Sequence, residues 1–203
     1  MKYFLDTEFI ENGMTIDLIS IGIVADDGRE YYAINSECDF SKASDWVLQN
    51  VLHPMGLNET GFSIGNCSES WVSANYKNSY SQAKTKDQIA FDVMAFLKQI
   101  DKQKETTHTF ESLKNLNIEN KPEIWGYYAD YDWVVFCWLF GTMSDLPKSF
   151  PMYCRDIKQF CDDIGNPRLP EQGKGEHNAL ADAKWNKSAW EFLQSFKISI
   201  VSC

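Results

Sequence analysis

The chain has 203 residues, 44% hydrophobic and 24% charged, with a formal net charge of −10, as is typical of a soluble globular protein. Its longest apolar run, residues 133–140, is far too short for the roughly 20 residues that span a bilayer. Asp6 and Glu8 interrupt the N-terminal apolar segment, which excludes a signal peptide of the usual type. The acidic balance argues against non-specific coating of a duplex, although bound cations would reverse the local charge. We expect a cytoplasmic protein with no membrane partner.

Length and cysteine content predict one intracellular domain over residues 1–203. A chain of this size buries roughly two thirds of the surface that it exposes when unfolded. Its six cysteines form no C-x-x-C pair, so we expect reduced thiols, several of them in the core.

The first forty residues predict three strands. Residues 3–9 form an apolar run, and residues 15–24 are rich in β-branched side chains and lead into "ADDG", a hairpin turn. Residues 29–35 would be the returning strand. Because short turns join them, these strands should form an antiparallel meander.

The middle of the chain has a weaker pattern. Residues 41–51 predict a short helix, which Pro54 would break. Residues 57–82 are rich in Asn, Ser and Gly, and we interpret them as a surface insertion. Thr85 then begins a capping box, which predicts a helix with one apolar face.

The last hundred residues alternate between helix and strand. Residues 105–120 predict a loop and 123–128 a strand, and helices are expected over 132–140, 156–164 and 177–196. The first of these helices is predicted to turn three residues inward: Val135, Trp138 and Leu139. A meander followed by this alternation favours an α/β fold, a mixed sheet flanked by helices.

Asp6 and Glu8 are the first candidate functional residues. Residues two apart on a strand point to the same face, so these carboxylates should project together. Like charges at that spacing repel unless a cation lies between them, and oxygen ligands suit Mg²⁺ or Mn²⁺. The alternative is an edge strand with one solvated face. Thr7 is expected to point the other way and only to pack.

Asp130 and Asp132 lie where the strand over residues 123–128 gives way to a helix. A carboxylate at such a junction can reach across the end of the sheet, where active sites of α/β folds tend to lie. Either residue could instead be a helix N-cap, a common role for Asp.

His177 and Asp182 form the third candidate pair. Five residues on a helix leave two side chains about 140° apart, so both can serve one site only if His177 precedes the helix. Small residues between and after them would let that helix approach the sheet closely: Ala179, Ala181 and Ala183. Alternatively, both polar residues are ordinary surface groups.

The order of these motifs resembles the DEDDh exonuclease family. The resemblance rests on D-x-E in a first strand, Y-D at a strand–helix junction and H-x-x-x-x-D near the C-terminus. It implies a ribonuclease H-like fold in which four carboxylates bind two divalent metals and His177 is the general base. The four positions that match are Asp6, Glu8, Asp132 and Asp182.

Within that family, "YFLDTEFIENGMTIDLISIGIVADDGREYYAI" is similar to the polyadenylate-specific 3′-exoribonuclease group, ribonuclease AS. That resemblance implies hydrolysis of single-stranded or 3′-overhang RNA to nucleoside 5′-monophosphates, with adenylate-rich RNA as the suggested substrate, and a homodimer. Tyr128 departs from the wider family, where an Asn often stands four residues before the Asp of the second motif. This difference concerns a substrate contact rather than a metal ligand.

The expected cofactors are two Mg²⁺ ions, for which Mn²⁺ could substitute. Phe9 and Ile10 follow the D-x-E motif directly and are expected to bind substrate as a wedge against the terminal base. Three alternatives stay open: an exonuclease acting mainly on DNA, a non-catalytic nucleic-acid-binding module on the same scaffold, and a plain α/β scaffold with incidental carboxylates.

Overall fold

A computed structural model describes residues 1–60, 81–101, 107–173 and 175–201. Most of the surface insertion predicted near 57–82 lies outside these residues, and both that insertion and the single domain over 1–203 stay predictions. All four cysteines in the described part are free thiols. No helix in the described part has both the length and the apolar character needed to cross a membrane.

The N-terminal strand lies in the centre of the sheet. Its strands are β1 (Lys2–Glu11), β2 (Ile16–Ala25), β3 (Glu30–Asn35), β4 (Ala83–Lys84), β5 (Glu123–Gly126) and β6 (Arg155–Asp156). The spatial order is β4-β3-β2-β1-β5-β6, which makes β1 a central strand. Strands β1 to β3 form the predicted antiparallel meander, whereas β5 runs parallel to β1, β6 to β5 and β4 to β3. The prediction of a mixed α/β sheet is confirmed, and it is consistent with a ribonuclease H-like fold.

Helices pack against this sheet at most of the predicted places. They are α1 (Asp45–Val47, continued by a π-helical turn over Leu48–Leu52), α2 (Lys86–Leu97), α3 (Phe110–Asn115), α4 (Asp130–Trp138), α5 (Ile157–Asp163) and α6 (Ala179–Val201). Short 3₁₀ turns occupy Phe40–Lys42 and Met143–Asp145. The Thr85 capping box is confirmed at the start of α2.

Two local predictions were wrong, and two short strands were missed. Residues 105–120 are not all loop, because α3 begins after Thr109, whose side chain accepts a hydrogen bond from the Ser112 N–H. Strands β4 and β6 were not predicted, since each has only two residues. Trp138 does not point inward but is 48% exposed.

The even-numbered residues of β1 share one face of the sheet, and two of them, Phe4 and Ile10, pack in two different apolar clusters. Phe4 packs in a cluster with residues of β5, α5 and α6. Ile10 packs in a second cluster, with β2, β3 and the segment that contains α1. Because side chains alternate along a strand, Asp6 and Glu8 lie on this same face between the two clusters. The sheet therefore places its carboxylates in the gap between two apolar blocks.

Helix α6 closes one side of that gap by direct contact with the sheet. Gly22 of β2 is the register partner of Asp6. A Cβ atom added to Gly22 would lie 2.2 Å from the carbonyl oxygen of Ala179, at the start of α6. Only a glycine allows this approach, which brings the first turn of α6 over Asp6.

Candidate active site

Three carboxylates meet in the gap between the apolar clusters. Asp6 and Glu8 come from β1, and Asp182 comes from the first turn of α6. One carboxylate oxygen from each lies within 4.8 Å of the others. The structure thus brings together three of the four carboxylates that the sequence predicted as metal ligands.

Asp132 lies beside this trio and is held by Thr7. The backbone N–H and the hydroxyl of Thr7 donate to Asp132 Oδ1 at 2.8 and 2.6 Å. Thr7 therefore does more than pack, contrary to the prediction, because it fixes a buried carboxylate from helix α4. Asp130 is exposed, and the N-cap position of α4 is Ala129, so neither Asp has the N-cap role considered as an alternative.

Helix α6 is attached to β1 next to the carboxylates. The buried Asn186 side chain donates from Nδ2 to the Leu5 carbonyl at 2.9 Å. Asn186 lies one turn after Asp182, so this bond sets the height of Asp182 over the strand. Sequence reasoning missed Asn186; its spacing of four residues from Asp182 on one helix face was the available signal.

His177 precedes α6, as the shared site required. Its backbone adopts a positive φ of 65°, and its N–H donates to Asp182 Oδ2 at 3.0 Å. The other oxygen of Asp182 accepts a hydrogen bond from Gln172 Nε2. Gln172, another residue that the sequence analysis missed, thus helps to hold Asp182, and the loop before α6 is anchored at both carboxylate oxygens.

Burial raises the pKa values of all four carboxyl groups, and in Asp6 and Glu8 neighbouring negative charges add to this effect. Burial, followed by the charges of Asp132, Glu8 and Asp182, raises the pKa of Asp6 well above its ordinary value. Burial and the Asp182 charge raise the pKa of Glu8 to about 8. Burial also raises the pKa of Asp182, and it raises that of Asp132 to about 6 against the opposing effect of the Thr7 hydrogen bonds. The site holds more negative charge than its surroundings neutralise.

This donor set suits a hard divalent cation. Carboxylate oxygens are the ligands that Mg²⁺ and Mn²⁺ prefer, and a cation would offset the mutual repulsion of the carboxylates. Three converging carboxylates with raised pKa values are therefore compatible with a metal centre.

Two clefts open on either side of the carboxylates. One, of about 400 Å³, runs past Glu8, Phe9, Trp46 and Asp132, and the other, of about 290 Å³, has more polar walls. Asp6, His177 and Asp182 line both. Among the described residues, neither lining includes Lys or Arg.

The two predicted substrate-binding residues differ in their positions. Phe9 lines the larger cleft and packs edge-to-face against Tyr131, with ring centroids 5.8 Å apart. Ile10 is 5% exposed, belongs to the second apolar cluster and does not line that cleft. The position of Ile10 therefore favours a packing role. Tyr128, which stands where the wider family often has Asn, is 64% exposed and has a positive φ of 53°.

Comparison with known proteins shows the family to which the chain belongs. Residues 1–194 match the model of the 3'-5' exoribonuclease Rv2179c-like domain family. The chain belongs to this family. It is 35% identical over 184 residues to "3'-5' exoribonuclease Rv2179c" of Mycobacterium tuberculosis (strain ATCC 25618 / H37Rv), an alignment that covers 91% of this chain and 88% of that protein. The figures are the same for "3'-5' exoribonuclease MT2234.1" of strain CDC 1551 / Oshkosh.

Membership of the Rv2179c-like family makes the chain a 3′–5′ exonuclease with exoribonuclease activity. The match spans β1, α4 and the part of α6 that carries the site, so every carboxylate described above lies inside the family domain. Nucleic acid is accordingly its substrate class.

Gly22→Ala should damage the site without altering any of its side chains. The added methyl group would meet backbone atoms of Ala179 and Leu180, so α6 would have to move away from β1. We expect a loss of about 1–3 kcal/mol in the free energy of unfolding, as for other overpacked positions, and a fall in RNA hydrolysis as Asp182 moves. Urea denaturation and the hydrolysis rate of a labelled RNA would measure both.

Gly173→Ala is the matched control for this substitution. A methyl group there meets nothing within 4 Å. It should change neither the stability nor the rate. Unchanged stability in Gly22→Ala would contradict the close helix–sheet contact.

Proposed function

We propose that this protein is a DEDDh-type, metal-dependent exoribonuclease that removes nucleotides from single-stranded or 3′-overhang RNA ends and releases nucleoside 5′-monophosphates. The observation that carries the proposal is the convergence of Asp6, Glu8 and Asp182 within 4.8 Å, beside His177. The printed names of the relatives favour RNA over DNA. The sequence similarity to the ribonuclease AS group favours adenylate-rich RNA.

The proposed metal ligands are the four acidic residues of the site. Asp6, Glu8 and Asp182 would hold one Mg²⁺, and Asp6 with Asp132 would hold a second, with Mn²⁺ able to replace either. When bound, two such ions activate a water molecule and neutralise charge on the scissile phosphate. Thr7 keeps Asp132 facing the cleft, and Asn186 keeps Asp182 over β1.

His177 is the proposed general base. A histidine side chain exchanges protons near neutral pH, so it can accept the proton of the attacking water. The water oxygen forms a bond to phosphorus as the bond from phosphorus to the 3′ oxygen of the preceding nucleotide breaks. That oxygen gains a proton from solvent, which leaves a shortened strand with a 3′-hydroxyl. The hydrogen bond from the backbone N–H of His177 to Asp182 keeps this residue next to the carboxylates.

The larger cleft is the proposed site for the 3′-terminal nucleotide. Phe9 offers an aromatic surface there, and stacking of a base on an aromatic ring contributes roughly 1–3 kcal/mol. Stacking does not require a complementary strand, which agrees with a single-stranded substrate. The homodimer, the single domain and the cytoplasmic location remain predictions; sedimentation analysis would test the first.

His177→Ala should lower RNA hydrolysis by about 100–10,000-fold, the usual contribution of a general base. The measurement is nucleotide product analysis on matched homopolymer RNA and DNA strands with Mg²⁺ and with chelator. We expect 5′-monophosphates from RNA, fastest from polyadenylate, and no product with chelator.

His108→Ala is the matched control, because His108 is a half-buried histidine on the loop before α3 and lies outside both clefts. It should leave the rate unchanged. Equal rates on DNA and RNA would favour the DNA alternative, and full hydrolysis in chelator would refute the metal mechanism.

A further inference from the structure

The gap above the carboxylates has two sides, and a single aromatic contact in the described structure joins them. Helix α6 and the loop before it form one side. The other is the segment around α1, where Val51 and Leu52 are buried in the second apolar cluster. Trp46 of α1 and His177 meet across the gap, with ring centroids 4.8 Å apart and planes at 78°. Both line the larger cleft.

Trp46 is held firmly at its backbone but not buried. The Ser44 hydroxyl accepts from the Val47 N–H and caps α1, and Asn50 Nδ2 donates to the Trp46 carbonyl at 2.8 Å. The Trp46 side chain is nevertheless 54% exposed. Burying a large aromatic side chain stabilises a fold, and the exposed Trp46 contributes only part of that stabilisation. Its placement therefore points to a role in the cleft rather than in the core.

The backbone of His177 is also fixed, by the hydrogen bond from its N–H to Asp182. His177 precedes the first residue of α6, however, so the helix does not restrict its side-chain torsions. An imidazole on such a backbone can rotate away from the carboxylates. An edge-to-face contact with Trp46 is favourable and should favour the orientation in which the two rings meet several-fold.

We propose that Trp46 is a positioning residue that holds the His177 imidazole in its orientation over the carboxylates. The inference rests on the proposed function, since it assigns Trp46 a role through the general base. Trp46 has to be a rigid aromatic side chain, because the contact is made with the face or edge of its ring. A second aromatic residue at this place would preserve the contact in part, whereas an aliphatic residue of similar volume would not.

Loss of the contact between Trp46 and His177 should lower kcat and leave KM nearly unchanged. A base that spends less time in its reactive orientation lowers kcat, and small misplacements in an active site can cost up to about 100-fold. We expect Trp46→Leu to lower kcat for RNA hydrolysis about 10- to 100-fold with KM changed less than about 3-fold. Trp46→Phe should recover most of the loss. Trp138→Leu, at an exposed Trp on α4, is the matched control and should leave kcat unchanged.

A double-mutant comparison separates this role from direct contact with RNA. If Trp46 acts only through His177, then His177→Ala and the double variant with Trp46→Leu should have the same kcat, because the second change has nothing left to position. Multiplying losses in the double variant, or a rise in KM with kcat intact, would overturn the proposal in favour of a base-stacking role. A normal kcat in His177→Ala would instead refute the proposed general base.

A measurement without RNA or metal tests the contact directly. The sequence has three histidines, His53, His108 and His177, so the proton resonances of their imidazole rings can be assigned by single substitution. The ring current of Trp46 should displace the His177 resonance from its position in an unstructured peptide. Trp46→Leu should return it to that position and leave the other two resonances in place. A His177 resonance that Trp46→Leu does not move would overturn the proposal whatever the kinetics show.

Discussion

Asp6→Asn should abolish RNA hydrolysis and at the same time make the metal-free protein more stable. Burial and the charges of Asp132, Glu8 and Asp182 raise the pKa of Asp6 well above its ordinary value. An amide of the same shape removes one of the repelling charges. We expect a gain in the free energy of unfolding of about 1–2 kcal/mol, typical of relieving a strained active site. Because Asp6 is the ligand proposed for both metals, the rate should fall by about 1,000-fold or more.

The two halves of this result need separate measurements. Urea denaturation in chelator gives the stability, and hydrolysis of labelled RNA with Mg²⁺ gives the rate. Asp130→Asn removes an exposed carboxylate at the start of α4 and should alter neither quantity. If Asp6→Asn were destabilising in chelator, the cluster would not be repulsive. If it kept the full rate, Asp6 would not be a metal ligand.

Without metal, the protein should become less stable as the pH rises from 5 to 9. Burial and the Asp182 charge raise the pKa of Glu8 from 4.5 to about 8, and burial raises that of Asp132 to about 6. Between pH 5 and 9 the native protein binds more protons than the unfolded chain, so the free energy of unfolding falls as the pH rises. The native advantage is complete below the ordinary carboxyl pKa and is lost above pH 8. For these two groups we expect a total fall on the order of 5 kcal/mol.

Divalent metal should reverse this dependence. A cation binds the deprotonated carboxylates, so its stabilising effect grows as the pH rises. Urea denaturation at several pH values, with chelator or with excess Mg²⁺, would therefore give lines of different slope.

Glu8→Gln should reduce the pH dependence of the stability measured in chelator, because it removes a carboxyl group whose pKa is raised from 4.5 to about 8. Glu119→Gln, which removes an exposed carboxylate outside the cluster, should not. Parallel lines with and without Mg²⁺ would count against a metal site among these carboxylates.

Local sequence patterns predicted much of this fold. Alternating apolar residues and the "ADDG" turn located the meander, and the Thr85 capping box located the start of α2. Strand alternation predicted that Asp6 and Glu8 share a face, and helix geometry required His177 to precede the helix carrying Asp182 if both serve one site. The helix predicted over residues 177–196 in fact begins at Ala179, after His177. These features depend on residues close in sequence.

Features that depend on distant partners were missed. Lys98 Nζ donates to the carbonyls of Leu113 and Leu116 near the C-terminal end of α3, and no local pattern reveals those bonds. The hydrogen bonds of Thr7 to Asp132 span 125 positions, and the one from Asn186 to Leu5 spans 181. Strand alternation gave Thr7 a face of the sheet but not the helix that meets it there.

Those long-range bonds also bear on when the chain can first act during its synthesis. Ribosomes make the strand that carries Asp6 and Glu8 first, and α6 with Asp182 and Asn186 follows near the end of the described residues. An unfinished chain therefore contains only part of the proposed metal ligand set. The complete ligand set, and with it the proposed hydrolysis of RNA, then requires that α6 has been made and has packed against β1.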